Sequence, residues 1–109
     1  MIMCNDIKVI ICGDYCPQHR VEELCENESY PNIFCDNVIK ELKDKDFSIV
    51  NLECTLTDSK NQIVKNGPNH KSNKSAIAPL VYASFDMVTL ANNHIMDYGT
   101  EGLLDTLEV

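Results

Sequence analysis

The chain has 109 residues, enough for one small domain that buries roughly two-thirds of its unfolded surface. Its 44% hydrophobic and 24% charged content is that of an ordinary globular protein, and the net charge of −8 argues against nonspecific binding to nucleic acid or an anionic membrane. No run approaches the ~20 apolar residues a membrane span needs.

Six cysteines (Cys4, Cys12, Cys16, Cys25, Cys35, Cys54) would form a disulfide framework in a small secreted protein. Here Met1 leads within a few residues into Ile7-Lys8-Val9-Ile10-Ile11, without the basic leader and long apolar segment of a signal peptide. Cys12 and Cys35 sit inside apolar patterns, where a free thiol behaves as a small buried hydrophobe. No CxxC pair points to zinc or thioredoxin chemistry. The reading is a cytoplasmic protein with reduced thiols.

In chain order, Ile7 to Cys12 is a continuous apolar run broken only by Lys8, which predicts a strand buried on both faces. It ends at Gly13-Asp14, where Asp14 either projects from the strand's carboxyl end or makes an Asx-turn. Val21 to Glu28 is acidic and weakly helical. Asn32 is a reasonable cap for a helix from about Ile33 to Lys43, with Cys35, Val38, Ile39 and Leu42 on one buried face. Phe47 to Leu52 is the second strand, and Glu53 follows it directly. An acid there is costly unless it is paired or metal-bound.

Cys54 to Ser75 is a long polar stretch, a length that is usually functional or disordered. Ile63-Val64 reads as a short strand and Asn66-Gly67-Pro68 as a turn. Lys60, Lys65, His70, Lys71 and Lys74 make a basic island that suits an anionic ligand, or equally a solvated loop. Ala76 to Ser84 predicts a short helix with Pro79 in its first turn. A third strand runs from Met87 to Asn92, and Thr100 is a plausible cap for a final helix carrying Leu103, Leu104 and Leu107. Three βα units of this kind predict an α/β fold with a mostly parallel sheet.

In such sheets ligands sit at the carboxyl ends of the strands. Asp14, Glu53 and the run Asn92-Asn93-His94, with Asp97 close behind, all fall there. Carboxylate, amide and imidazole donors suit Mn²⁺, Mg²⁺, Fe or Zn²⁺. Two such ions can bind a phosphate and generate hydroxide near neutral pH, and His94 would be the proton donor to a leaving oxygen. The same residues also read as turn chemistry, in which case the chain is a flavodoxin-like three-layer domain with incidental polar turns.

GDYCP (13–17), IVNLECTLTD (49–58) and FDMVTLANNHIMDYGTEGLLDTLE (85–108) resemble the CapA family of bacterial capsule and poly-γ-glutamate synthesis proteins, related in fold to the calcineurin-like metallophosphoesterases. The resemblance covers nearly the whole chain and only the N-terminal part of the family domain. It implies a partial metallophosphatase-like αββα sandwich, with residues 1–109 forming a single truncated domain. By position, it implies that Asp14, Glu53 and Asn93 bind metal, with two divalent ions in the longer protein. His94 and Asp97 would be catalytic, and Asn92, His70 and Lys71 would contact an anionic small-molecule or polymer substrate. Three features depart from the wider phosphoesterase pattern. Cys16 stands where a His is usual, with His19 as a possible substitute; the bridging acid is Glu53 rather than Asp; and the later histidine motifs are absent. A scaffolding or polymer-binding component that kept the fold is the alternative reading. Half a core would leave apolar surface uncovered, so a homo-oligomer is expected.

Overall fold

The structure, a computed structural model, describes residues 5–109, so Cys4 lies outside the described residues. Strands β1 (Val9–Tyr15), β2 (Phe47–Leu52) and β5 (Met87–Thr89) form a parallel sheet in the order β1-β2-β5. A second, two-stranded parallel ladder pairs β3 (Thr55–Leu56) with β4 (Lys71–Ser72). Helices α1 (Arg20–Glu26), α2 (Asp36–Lys43), α3 (Ala78–Tyr82) and α4 (Gly99–Glu108) complete an α/β fold with a mostly parallel sheet. No helix among the described residues is long and apolar enough to cross a membrane.

Alternation along β2 sets the two faces of the main sheet. Ser48, Val50 and Leu52 are buried, whereas Phe47, Ile49 and Asn51 point the other way. The buried face packs with Tyr15, Cys25, Cys54, Leu56, Ala76 and Leu80 into one core. Ile39, Leu42 and Ala83 form a second cluster against Ile10. All covering helices therefore lie on one side. This corrects the expectation for β1: Val9 is 50% and Ile11 77% exposed, because apolar composition alone does not say which face has a partner. In register with them, Phe47 (opposite Val9) and Met87 (opposite Ile49) are also exposed.

Several boundaries move. Strand β1 does not stop at Gly13-Asp14. The register slips between Ile11 and Asp14, and the strand continues to Tyr15. Helix α2 begins at Asp36 after Cys35, while Tyr30–Asn32 is a separate 3-10 turn in which Asn32 Nδ2 donates to Ser29 Oγ at 2.7 Å. Of its expected buried face only Ile39 and Leu42 are inside. Cys35 is exposed and Cys12 only half-buried. The predicted 76–84 helix is split into a 3-10 turn over Lys74–Ile77 and α3, with Asn73 Oδ1 capping the turn by accepting from Ser75 N at 3.1 Å. Ile63-Val64 forms no strand. Instead, β3 and β4 sit at the two ends of the polar stretch.

Helix α4 seats on β3 through its small residues rather than its leucines. Leu56 N donates to Thr106 Oγ1 at 2.9 Å, and Thr106 Oγ1 donates to Gly102 O at 2.7 Å. Thr57 Oγ1 also bonds Asp105. Gly102 and Thr106 are buried, while Leu104 and Leu107 face solvent. The helix starts at Gly99 with φ 63°, after Tyr98, so Thr100 is not its cap.

Candidate functional site

Strand β5 ends at Thr89, and the chain then folds into a turn that Asn92 organises. Asn92 Oδ1 accepts from the backbone N–H of His94 (3.0 Å) and Ile95 (3.1 Å). Its Nδ2 donates to Leu52 O (2.9 Å) and Asn51 Oδ1 (3.2 Å), tying the turn to the end of β2. Asn51 in turn donates to Asp14 Oδ1 at 2.7 Å and accepts from Thr89 Oγ1 at 3.2 Å. This chain of amides links Asp14, the end of β2 and the turn that carries His94. Asn51 escaped the sequence reading as a functional residue. Its signal was its place one residue before Leu52, on the face it shares with Asp14 and Thr89.

The second part of the site surrounds Asp97, whose side chain is fully buried. Its Oδ2 lies 2.7 Å from His94 Nδ1 and accepts from His70 N at 2.6 Å, while Oδ1 pairs with the Lys65 ammonium. Burial pushes the Asp97 carboxyl up, but the hydrogen bonds from Lys65, His94 and the His70 backbone outweigh it and hold it below the usual carboxylate range. An ionised carboxylate only accepts, so the proton between the two groups belongs to His94 Nδ1. The approach of Lys65 Nζ to the same nitrogen at 3.3 Å is then a close contact and not a second bond. With Nδ1 committed to Asp97, Nε2 is the nitrogen left to exchange a proton with a ligand. The His70 ring packs against the His94 ring, 4.2 Å between centroids.

The structure thus joins His94, Asp97 and His70, and adds Lys65, which the sequence reading counted only as part of the basic island. Lys65 and His70 lie on either side of the Asn66-Gly67 bend, and the Lys65 side chain and the His70 backbone both meet Asp97. The rest of the island is turned elsewhere. Lys71 Nζ donates to Ser59 O at 2.6 Å and lies 5.1 Å from the Tyr98 ring centroid, and Lys74 pairs with Asp105 at 3.2 Å.

Glu53 follows β2 as expected. Its N–H donates to Tyr15 O at 3.1 Å, it is half-buried, and no described residue donates to its carboxylate. Asn93 is exposed. Cys16 lies within the electrostatic reach of Glu53, Asp14 and Asp97, while His19 is exposed ahead of α1. The oxygens of Asp14 and Glu53 have the right chemistry for a hard divalent cation. However, no three His, Cys, Asp or Glu side chains among the described residues converge into a group that could hold one. These residues by themselves do not close a coordination shell.

The family model for bacterial capsule synthesis proteins, PGA_cap, matches residues 8–109. The chain is also similar to the PGA biosynthesis protein CapA of Bacillus subtilis (strain 168), with 32% identity over 96 residues, 87% of this chain and 25% of that protein. It therefore spans about a quarter of the length of that curated relative. The matched residues include Asp14, the Asn51-Leu52-Glu53 segment and the whole turn from Asn92 to Asp97. With the parallel sheet and the linked strand ends already described, this chain belongs to the bacterial capsule synthesis protein family PGA_cap.

Proposed function

We propose that the chain is part of a capsule or poly-γ-glutamate synthesis protein in which His94, oriented by Asp97, transfers a proton during hydrolysis or group transfer. The substrate would be a phosphoryl or γ-glutamyl compound, small or polymeric and anionic. The observation that carries this is the buried Asp97 carboxylate held 2.7 Å from His94 Nδ1. A solvent-excluded charge is costly, and here it fixes the tautomer of the one imidazole in the Asn92-Asn93-His94 turn. Asp14, Glu53 and Asn93 are the residues that would hold a divalent ion in the longer protein (Mn²⁺, Mg²⁺, Fe or Zn²⁺, and two ions if further ligands join them). When bound, such an ion would polarise the substrate. His70, beside His94, and Asn92 would border the substrate, and Lys71 would reach it only by leaving Ser59.

A scaffolding or polymer-binding role is the second reading. It is favoured by Asn92 and Lys71 being engaged within the fold, and by the lack of a three-donor cluster among the described residues. The test uses the longer protein containing this domain, with phosphoester and γ-glutamyl substrates in the presence of added divalent metal. On the catalytic reading His94→Ala lowers kcat by roughly 10²–10⁴-fold. Unchanged kinetics in that variant, with polymer binding retained and no metal left after dialysis, would leave only the scaffold.

A further inference from the structure

The Asn66-Gly67 bend has no part in the proton transfer, yet it separates two of the groups that hold Asp97. Asn66 is the one asparagine in the chain followed by glycine. Both residues are exposed, and Gly67 turns the backbone with φ +94°. A Cβ at Gly67 would meet nothing within 4 Å, so no neighbouring group crowds that side of the bend. Among the described residues, no hydrogen bond engages the Asn66 side chain or the Gly67 N–H. Asn27, Asn32 and Asn93 are exposed too, but the N–H that follows each of them is held. Glu28 N donates to Cys25 O at 3.2 Å and Ile33 N to Tyr30 O at 2.9 Å. His94 N donates to Asn92 Oδ1 at 3.0 Å.

We propose that Asn66-Gly67 is a site of spontaneous deamidation that loosens the clamp on Asp97 as the protein ages. The Gly67 backbone nitrogen gives its proton to hydroxide and attacks Asn66 Cγ. A new C–N bond closes a succinimide ring, and the side-chain nitrogen leaves as ammonia. Glycine favours this step because no Cβ hinders the approach of its nitrogen. Water then adds to one of the two ring carbonyls and opens the ring to aspartate or isoaspartate. One water is gained and one ammonia lost, with no change of oxidation state. Either product places a carboxylate next to Lys65, whose ammonium pairs with the buried Asp97 carboxylate. Isoaspartate also adds a backbone carbon between Lys65 and His70, whose N–H donates to Asp97 Oδ2 at 2.6 Å. Both changes act on the geometry around Asp97 and stand whether or not His94 is catalytic.

The test ages the folded 109-residue chain at mildly alkaline pH in heavy-oxygen water and digests it in ordinary water, so conversion during digestion is told apart. Mass spectrometry with electron-transfer fragmentation locates each converted asparagine and separates aspartate from isoaspartate. Asn66 should convert ahead of every other asparagine, carrying heavy oxygen, with isoaspartate the larger share. Hydrogen exchange at the His70 amide should be faster after aging than before. The Asn66→Gln chain should keep both its mass at this position and its His70 exchange rate. Another asparagine converting first would overturn the proposal. So would an Asn66 that stays intact in the folded chain while the urea-unfolded chain converts. Conversion at Asn66 with unchanged His70 exchange would overturn its effect on Asp97.

Discussion

Replacing Asp97 by Asn tests the centre of the site with the smallest change of shape. The carboxylate accepts from Lys65 Nζ, His70 N and His94 Nδ1 and is fully buried. An amide offers one oxygen and one NH₂, so at least one of the three donors then faces another donor. Removing one member of a buried ion pair costs about 3–5 kcal/mol. The Lys65 side chain keeps 20% exposure and can turn toward water, which places the expected loss near the lower bound, about 3 kcal/mol. For a chain of this size that corresponds to a fall in Tm of roughly 12 °C or more. Urea and thermal unfolding followed by circular dichroism measure it. Adding Lys65→Met to the Asp97→Asn variant completes a double-mutant cycle, and its cost there should be much smaller than in the wild type. The pH dependence has a definite sign. Because the folded-state Asp97 carboxyl lies below its ordinary value, its contribution is fully present above about pH 4 and disappears as the pH falls through the lowered value. The Asp97→Asn variant should lack that portion of the acid destabilisation. Stability within about 1 kcal/mol of wild type, with an unchanged acid limb, would refute the account of Asp97 as a buried charged clamp.

Three further outcomes are expected. Gly102→Ala would place a Cβ 2.6 Å from Tyr98 Cβ, so overpacking of about 1–3 kcal/mol should outweigh the helix-propensity gain of about 1 kcal/mol, and a rise in Tm would contradict the close approach of Tyr98 to Gly102. Thr106→Val removes the acceptor of the buried Leu56 N–H and should cost about 1–3 kcal/mol, with faster hydrogen exchange at the Leu56 amide as the local signature. The open row Val9, Ile11, Phe47 and Met87 should make the 109-residue chain self-associate. Light scattering should show species above monomer mass that shrink in the Ile11→Thr, Met87→Thr double variant, and a clean wild-type monomer would remove the idea.

Much of the fold could be read because it rests on local chemistry. The strand character of the apolar runs 7–12 and 47–52 follows from their composition and length, and the placing of Asp14 and Glu53 near neighbouring strand ends follows from parallel βα order. What could not be read is which of several plausible partners a side chain takes. Asn92 commits its amide to the turn and to Leu52 O. Lys71 and Lys65 look alike in the sequence, yet one reaches Ser59 and the other Asp97. The leucines of α4 follow the helical period, while its buried face is Gly102 and Thr106, because Tyr98 crowds Gly102 and Thr106 Oγ1 accepts from the Leu56 N–H.

The sequence by itself determined the three main strands, the helices between and after them, the parallel α/β arrangement and the kinship carried by the Asn51-Leu52-Glu53 and Asn92-Asn93-His94 segments, since each depends on residues close together in the chain. Tertiary structure alone decided that Lys65 and the His70 backbone close around Asp97, and that only one face of β1 is covered. Those outcomes depend on pairs brought together across long stretches of chain. There, loop closure and competition among equivalent polar partners decide the result, and neither leaves a periodic trace in the sequence.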